Sequence, residues 1–467
     1  MDGVGPYQDI GFDRDGDVDP EQRHRLLDME VTDLVMFAHG RNQSPKAAYE
    51  LYAAFFAAFP GLVGRGVRPG YAGVGWPSMT FPDEPPVRLL PPPGGPVGGG
   101  LDAGTRRALL TLFPGHEETV ARLAELLAVR PDSAAAVGEF GRLARRIARA
   151  PAGGLESRCF TDDLPGDEQG PPAVLFEDPL SLCRRFAGAL EAVGTAEPPA
   201  PAWSEGWEAS EGSRGPGPYS PEPYGGPNPY GGADPYGGPD PYGGSPRIWL
   251  GARELLRQTT YYALKRRAGA VGELGLGPLL GQLARSRPAL RVHLVGHGQG
   301  ARLVAFALRG LPDEVRTVKS VTLLQGAFSQ YAFASRLPHA PGRSGALRTM
   351  EQRVDGPVVA CHSRYDGALG ALYPVASAPA HDDRSPGPDA VGDRRWWAVG
   401  HGGIHGVASA VRLSLDEALT GALPRKGCVS VDVSSVVRRG APPSGAHGDI
   451  CHEELARLIV AAGDLGD

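Results

Sequence analysis

The sequence predicts an α/β fold: a mostly parallel central sheet with helices on both faces. Three observations predict it. Short apolar runs of strand length alternate with longer segments whose apolar residues recur at helical spacing. Most of those runs are separated by helical stretches rather than by tight hairpin turns, as parallel strands require. One run, RVHLV (291–295), leads through the Gly-rich turn Gly-His-Gly-Gln-Gly (296–300) directly into a helical stretch, ARLVAFALRGL.

Taken in order, residues 1–30 read as an acidic flexible tail. Their start, MDGVGPYQDIGFDRDGDVDPEQ, lacks the apolar segment of a secretory signal. Residues 31–100 form the first part of the α/β domain. TDLVMFA (32–38) is a buried strand that ends at His39-Gly40. Ser44 and Pro45 give an N-terminal signal for a helix over PKAAYELYAAFFAAFP (45–60). YAGVGW (71–76) is a second strand, and PPVRLLPPPGGPVGGG (85–100) is a Pro/Gly loop. Residues 101–200 have helical period throughout, in TRRALLTLF, HEETVARLAELLAV, AAAVGEFGRLARRIARA and DPLSLCRRFAGALEAVG, with no strand between them. They are expected to be a helical insertion. Residues 201–247 change character. PEPYGG, PNPYGG, ADPYGG and PDPYGG repeat with a period of six and offer no apolar face, so a disordered linker is expected. Residues 248–467 resume the domain. A helix, ARELLRQTTYYALKRRAG, precedes the strand at 291–295 and the helix at 301–310. Strands follow at SVTLLQG (320–326), GPVVACH (356–362) and CVSVDV (428–433), and HEELARLIVAAG is the last helix.

Composition narrows the function classes. A net charge of −6 gives no global basic field for nucleic acid. No apolar run is long enough to span a bilayer. Five scattered cysteines with no Cys-x-x-Cys pair read as reduced thiols, which leads us to expect a cytoplasmic protein. The excess of Arg over Lys, with abundant Ala, Gly and Pro, suggests a G+C-rich bacterial source.

The turn at 296–300 carries the functional question. A strand-to-helix turn with flanking glycines is where a serine hydrolase places its nucleophile in a Gly-x-Ser-x-Gly elbow. The glycines there let backbone and helix approach without a Cβ. Gly296 and Gly300 match the flanking positions, but the central residue is Gly298, which meets the strained angle while lacking a hydroxyl. The turn is neither a dinucleotide-binding G-x-G-x-x-G nor a P-loop, because its glycines fall at the first, third and fifth positions and no Lys-Ser/Thr follows. FAHGRN (37–42) places a His39-Gly40 turn after an early strand, where Arg41 or a neighbour would offer one backbone N–H to an oxyanion and Gln299, after the elbow, the other. Asp366 lies at the exit of one later strand and His447 in the loop after the last, so the order is elbow, acid, histidine. His452 competes with His447 but lies at the start of the final helix. His401 and His405, four apart, sit among glycines with no third ligand, so no metal is expected. No cofactor motif was found.

Together DLVMFAHGRN, GVGWPS, TTYYALKRRAG, RVHLVGHGQGARLV, SVTLLQGAFSQYAFA, GPVVACHSRYDGALGALYP and GAHGDI resemble a family of bacterial α/β-hydrolase-fold proteins with Gly-His-Ser-x-Gly at the elbow. The resemblance covers about 31–95 and 248–467. It implies a nucleophilic serine at 298, where this chain has Gly298, and it carries the acid and histidine roles onto Asp366 and His447. His39, Gly40, Arg41, His297 and Gln299 are the expected oxyanion or ligand-binding residues. The expected function is therefore an esterase-like protein, catalytically degenerate, that binds an acyl- or ester-like molecule or a protein partner. Two alternatives stand beside it. One is an active hydrolase of ester or amide bonds using water, or a displaced serine such as Ser44, Ser78, Ser329 or Ser363, with Asp366 and His447. The other is a non-enzymatic interaction protein that uses the PYGG tract.

Overall fold

The computed structural model describes residues 4–78, 100–148, 177–194, 245–338, 340–377, 394–441 and 444–466. Among the described residues eight strands form one sheet: β1 (Tyr7–Gly11), β2 (Asp33–Ala38), β3 (Pro69–Gly75), β4 (Arg291–His297), β5 (Val318–Leu324), β6 (Pro357–His362), β7 (Val411–Ser414) and β8 (Gly427–Asp432). Their order is β1-β3-β2-β4-β5-β6-β8-β7, and every pairing is parallel. This is an α/β fold.

The central strands are apolar on both faces because helices cover both. Along β2, Leu34, Met36 and Ala38 face one core cluster while Val35 and Phe37 face the other. The same alternation divides Val358 and Ala360 from Val359 and Cys361 in β6. Such strands read as continuous hydrophobic runs rather than as alternating ones. On the second face lie α2 (Pro45–Phe56) and the last helix (Glu453–Gly463). Ser44 caps α2 by accepting a hydrogen bond from the Ala47 N–H at 3.1 Å.

Between β3 and β4 the chain forms α3 (Ala103–Leu112), α4 (Glu117–Val129), α5 (Ala134–Ala148), α6 (Pro179–Gly194), α7 (Ser245–Ala270) and α8 (Gly277–Ser286). Helices α3 to α7 share a separate core around Phe140, Phe186 and Trp249. The first residues of α7 fall just inside the expected linker. The PYGG repeats themselves lie outside the described residues, as do Cys159 and the Pro/Gly loop up to position 99. The other four cysteines form no disulfide among the described residues, and burial pushes the thiols of Cys183, Cys361 and Cys428 up to about 12.

Two edge strands correct the sequence reading. Residues 7–27, expected within a flexible tail, form β1 and α1 (Pro20–Leu27). Of the five residues of β1 only Ile10 is fully buried, so the strand left almost no hydrophobic signal. Its order comes from tertiary bonds: pairing with β3, and the Gly11 N–H donating to Gln22 Oε1 at 2.6 Å. β7 was missed for the same reason, since none of its four residues is fully buried.

Candidate functional site

The topology picks out one place on the sheet. From β2 the chain moves to β3 on one side, whereas from β4 it proceeds through β5 and β6 to the other. The order therefore reverses between β2 and β4. In open parallel sheets ligands bind outside the carboxyl ends at such a reversal. The residues there are His39-Gly40, after β2, and His297-Gly298, at the end of β4.

Gly298 joins β4 to α9 (Gln299–Gly310) with φ 56° and ψ −114°, a conformation hostile to a Cβ. Its N–H donates to the Leu324 carbonyl at 3.0 Å and its own carbonyl accepts from the Ala327 N–H at 2.9 Å. The turn is thus clamped from β5. A Cβ on Gly300 would lie 2.2 Å from the Ala38 oxygen and 2.4 Å from the His39 oxygen. Main chain meets main chain here, with no flexible side chain to yield. Gly300→Ala is accordingly expected to cost about 3 kcal/mol, the upper end of overpacking penalties. The urea midpoint reads this directly; an unchanged midpoint would contradict the close packing.

Asp366 follows β6 and is fully buried. Its Oδ1 accepts from the Leu369 N–H at 3.0 Å, and Oδ2 lies 2.8 Å from His447 Nδ1. His447 sits in a tight turn (Gly445–Gly448) after β8, with 15% of its side chain exposed. In the neutral ring Nδ1 carries the proton that serves the carboxylate, and the lone pair then belongs to Nε2. Nε2 makes no hydrogen bond among the described residues and lies 3.1 Å from the point where a Cβ on Gly298 would stand. The Gly40 Cα lies 3.8 Å from that same point. Elbow, histidine, carboxylate and the His39-Gly40 loop therefore meet at one spot.

Two backbone N–H groups adjoin this region along the chain. The Gln299 N–H opens α9 and has no intrahelical partner, with the positive end of the helix dipole behind it. The Arg41 N–H makes no hydrogen bond among the described residues.

The two histidines expected to bind ligand have local partners. His297 is buried, and its Nε2 donates to the His447 carbonyl at 2.7 Å. It therefore holds the turn that carries His447. Burial pulls its pKa down to about 3, helped by the neighbouring His447. His39 Nδ1 donates to the Gly40 carbonyl at 2.8 Å, and its ring stacks on Trp76 at 5.8 Å. The Trp76 indole N–H donates to the His39 carbonyl at 2.9 Å, and burial lowers the His39 pKa to about 4. His452 is occupied elsewhere, 2.8 Å from Asp449.

Each candidate displaced serine also has a local structural role. Ser44 caps α2, and Ser78 Oγ accepts from the Gln43 N–H at 3.2 Å. Ser329 Oγ accepts from the Tyr331 N–H at 3.2 Å, and Ser363 Oγ donates to the Val437 carbonyl at 2.6 Å.

His401 was not assigned to this region from sequence. It lies in a short helical turn (Val399–Gly402) with its ring against Gly370. Burial lowers its pKa, although the Asp366 charge and the carbonyls of Asp366 and Ser363 oppose that shift. No local pattern marks it, because its approach depends on how the segments after β5 and β6 pack. Among the described residues no group of three His, Cys, Asp or Glu is placed to hold a metal ion. No helix among them is long and apolar enough to cross a membrane.

A cleft of about 580 Å³ opens at the ends of β1 and β3, lined by Phe12, His39, Tyr49, Tyr52, Trp76 and Arg267 among others. Gly298 and His447 do not line it, whereas His39 does. No family model matches the chain, and neither a curated protein nor a solved structure matches it.

Proposed function

We propose that this chain is an α/β-hydrolase-fold protein of the serine-hydrolase type in which every part of the site except the nucleophile is retained. On this reading the site binds a carbonyl compound, an acyl- or ester-like ligand, without serine chemistry. One observation carries it: His447, backed by Asp366 at 2.8 Å, holds Nε2 3.1 Å from where a side chain at 298 would begin. The order of parts agrees with it, since elbow, acid and histidine follow β4, β6 and β8 at the carboxyl edge of one parallel sheet. The two backbone donors are unaffected by the missing side chain.

Hydrolysis by water with His447 as base is the weaker reading. Serine-protease triads stripped of their members keep only about 10³–10⁴-fold acceleration over water. A displaced serine is disfavoured by the partners of Ser44, Ser78, Ser329 and Ser363 described above.

A fluorophosphonate probe, which phosphonylates activated serines, tests the reading. Gly298→Ser is expected to be labelled at residue 298, with wild type unlabelled and the label lost when His447→Gln is added. A folded Gly298→Ser chain that takes up no probe would refute the proposed site.

A further inference from the structure

We propose that His447 itself accepts acyl groups at Nε2, from donors whose leaving group is weakly basic, such as aryl esters and thioesters. This rests on the carbonyl-binding site proposed above and adds a chemistry to it. An ordinary side chain at 298 would keep the ring away, because 3.1 Å is closer than Cβ contacts normally run. Glycine admits the imidazole toward the space a nucleophile would fill. Asp366 holds the Nδ1 proton at 2.8 Å, so the lone pair of Nε2 is directed away from the carboxylate, and the ring is partly exposed. His297 fixes the backbone of the same residue from behind. A serine hydroxyl needs a base to attack, whereas a neutral imidazole brings its own electron pair.

The chemistry sets the donor class. The Nε2 lone pair bonds to the acyl carbon, and the carbonyl oxygen becomes an oxyanion near the Gln299 and Arg41 N–H groups. On collapse the carbon–oxygen or carbon–sulfur bond breaks, and its electron pair leaves with a phenolate or thiolate. The N-acylimidazolium that remains keeps its Nδ1 proton against the Asp366 carboxylate, so its positive charge is paired. Water then adds to the acyl carbon, the carbon–nitrogen bond breaks, and carboxylic acid, one proton and free imidazole result. With an alkyl ester the tetrahedral species expels imidazole instead, because an alkoxide is by far the stronger base. Ordinary alkyl esters should therefore not turn over.

Rapid mixing of the chain with p-nitrophenyl acetate, followed by acid quench and peptide mapping, tests this. A burst of p-nitrophenolate with acetyl on the peptide containing His447 is expected, both lost in His447→Gln. Gly298→Ala should also diminish the burst, since its Cβ would push the ring back without altering the histidine; this covers the case in which His447→Gln does not fold. Turnover without an adduct, or a burst that survives in folded His447→Gln, would overturn the proposal. A silent wild type beside a Gly298→Ser variant that labels with fluorophosphonate overturns it while leaving the site intact. A silent wild type beside an unlabelled variant removes both.

Discussion

Gly298→Ser is expected to raise hydrolysis of an unactivated alkyl ester such as tributyrin by about 10⁴-fold over wild type. The reference is the serine triad of subtilisin, where losing the nucleophile costs roughly 10⁶ in kcat. Restoring it here should recover less, for two reasons of geometry. The backbone at 298, with φ 56° and ψ −114°, suits glycine, and a side chain there costs about 1–3 kcal/mol of strain. The new Cβ would also stand 3.1 Å from His447 Nε2, so the ring must retreat by a few tenths of an ångström. Asp366 and the His297 bond limit how far the turn moves. Initial rates by pH-stat, with the urea midpoint of the same variant, measure gain and cost together. A stable variant with less than a tenfold gain would mean that the elbow, His447 and the backbone donors no longer fit an attacked carbonyl.

How much of this was legible in the sequence follows the range of the forces involved. The β4 strand and its turn into α9 were readable because apolar residues, glycines and helix start occur within about a dozen positions. The α/β class followed from alternating periods, since a parallel sheet covered on both sides needs long apolar strands. Edges were not readable. β1 contributes one fully buried side chain, so its place is decided by pairing with β3 rather than by local composition. The strand exits bearing Asp366 and His447 could be named, but their 2.8 Å contact across 81 residues has no local sign. The role of His297 was hidden for a related reason. It was read as facing ligand because it adjoins the elbow, yet the strand end directs it at the His447 carbonyl instead. The stacking of His39 on Trp76 likewise depends on β2 and β3 lying side by side.

Those two buried histidines make the second large effect, a steep loss of stability in mild acid. In the unfolded chain an imidazole takes up its proton near pH 6.5. In the fold, burial holds His39 to about 4 and His297 to about 3. Between pH 6.5 and those values the unfolded chain binds more protons, so stability falls as pH falls. It is fully present above 6.5 and declines until each folded value is reached. At about 1.4 kcal/mol per unit, each contributes a loss of about 2 kcal/mol by pH 5, or about 4 kcal/mol for the pair. Against a typical total of about 5–15 kcal/mol this brings the fold toward its limit. His362, also held to about 4 by burial, acts in the same direction. The local structure explains the resistance to protonation. The Nδ1 of His297 is buried with no partner, so a proton there would add a charge that nothing nearby accepts. On His39 the Nε2 is the weak acceptor of the Trp76 backbone N–H at 3.4 Å, and a proton would replace that contact with a clash of donors. Urea midpoints at pH 7.5 and pH 5 measure the loss. His39→Gln, which cannot titrate, should lower stability at pH 7.5 yet narrow the difference between the two conditions by about 2 kcal/mol. A midpoint that does not move between them would show that neither ring is held neutral, and with that the dry packing behind the elbow would have to be abandoned.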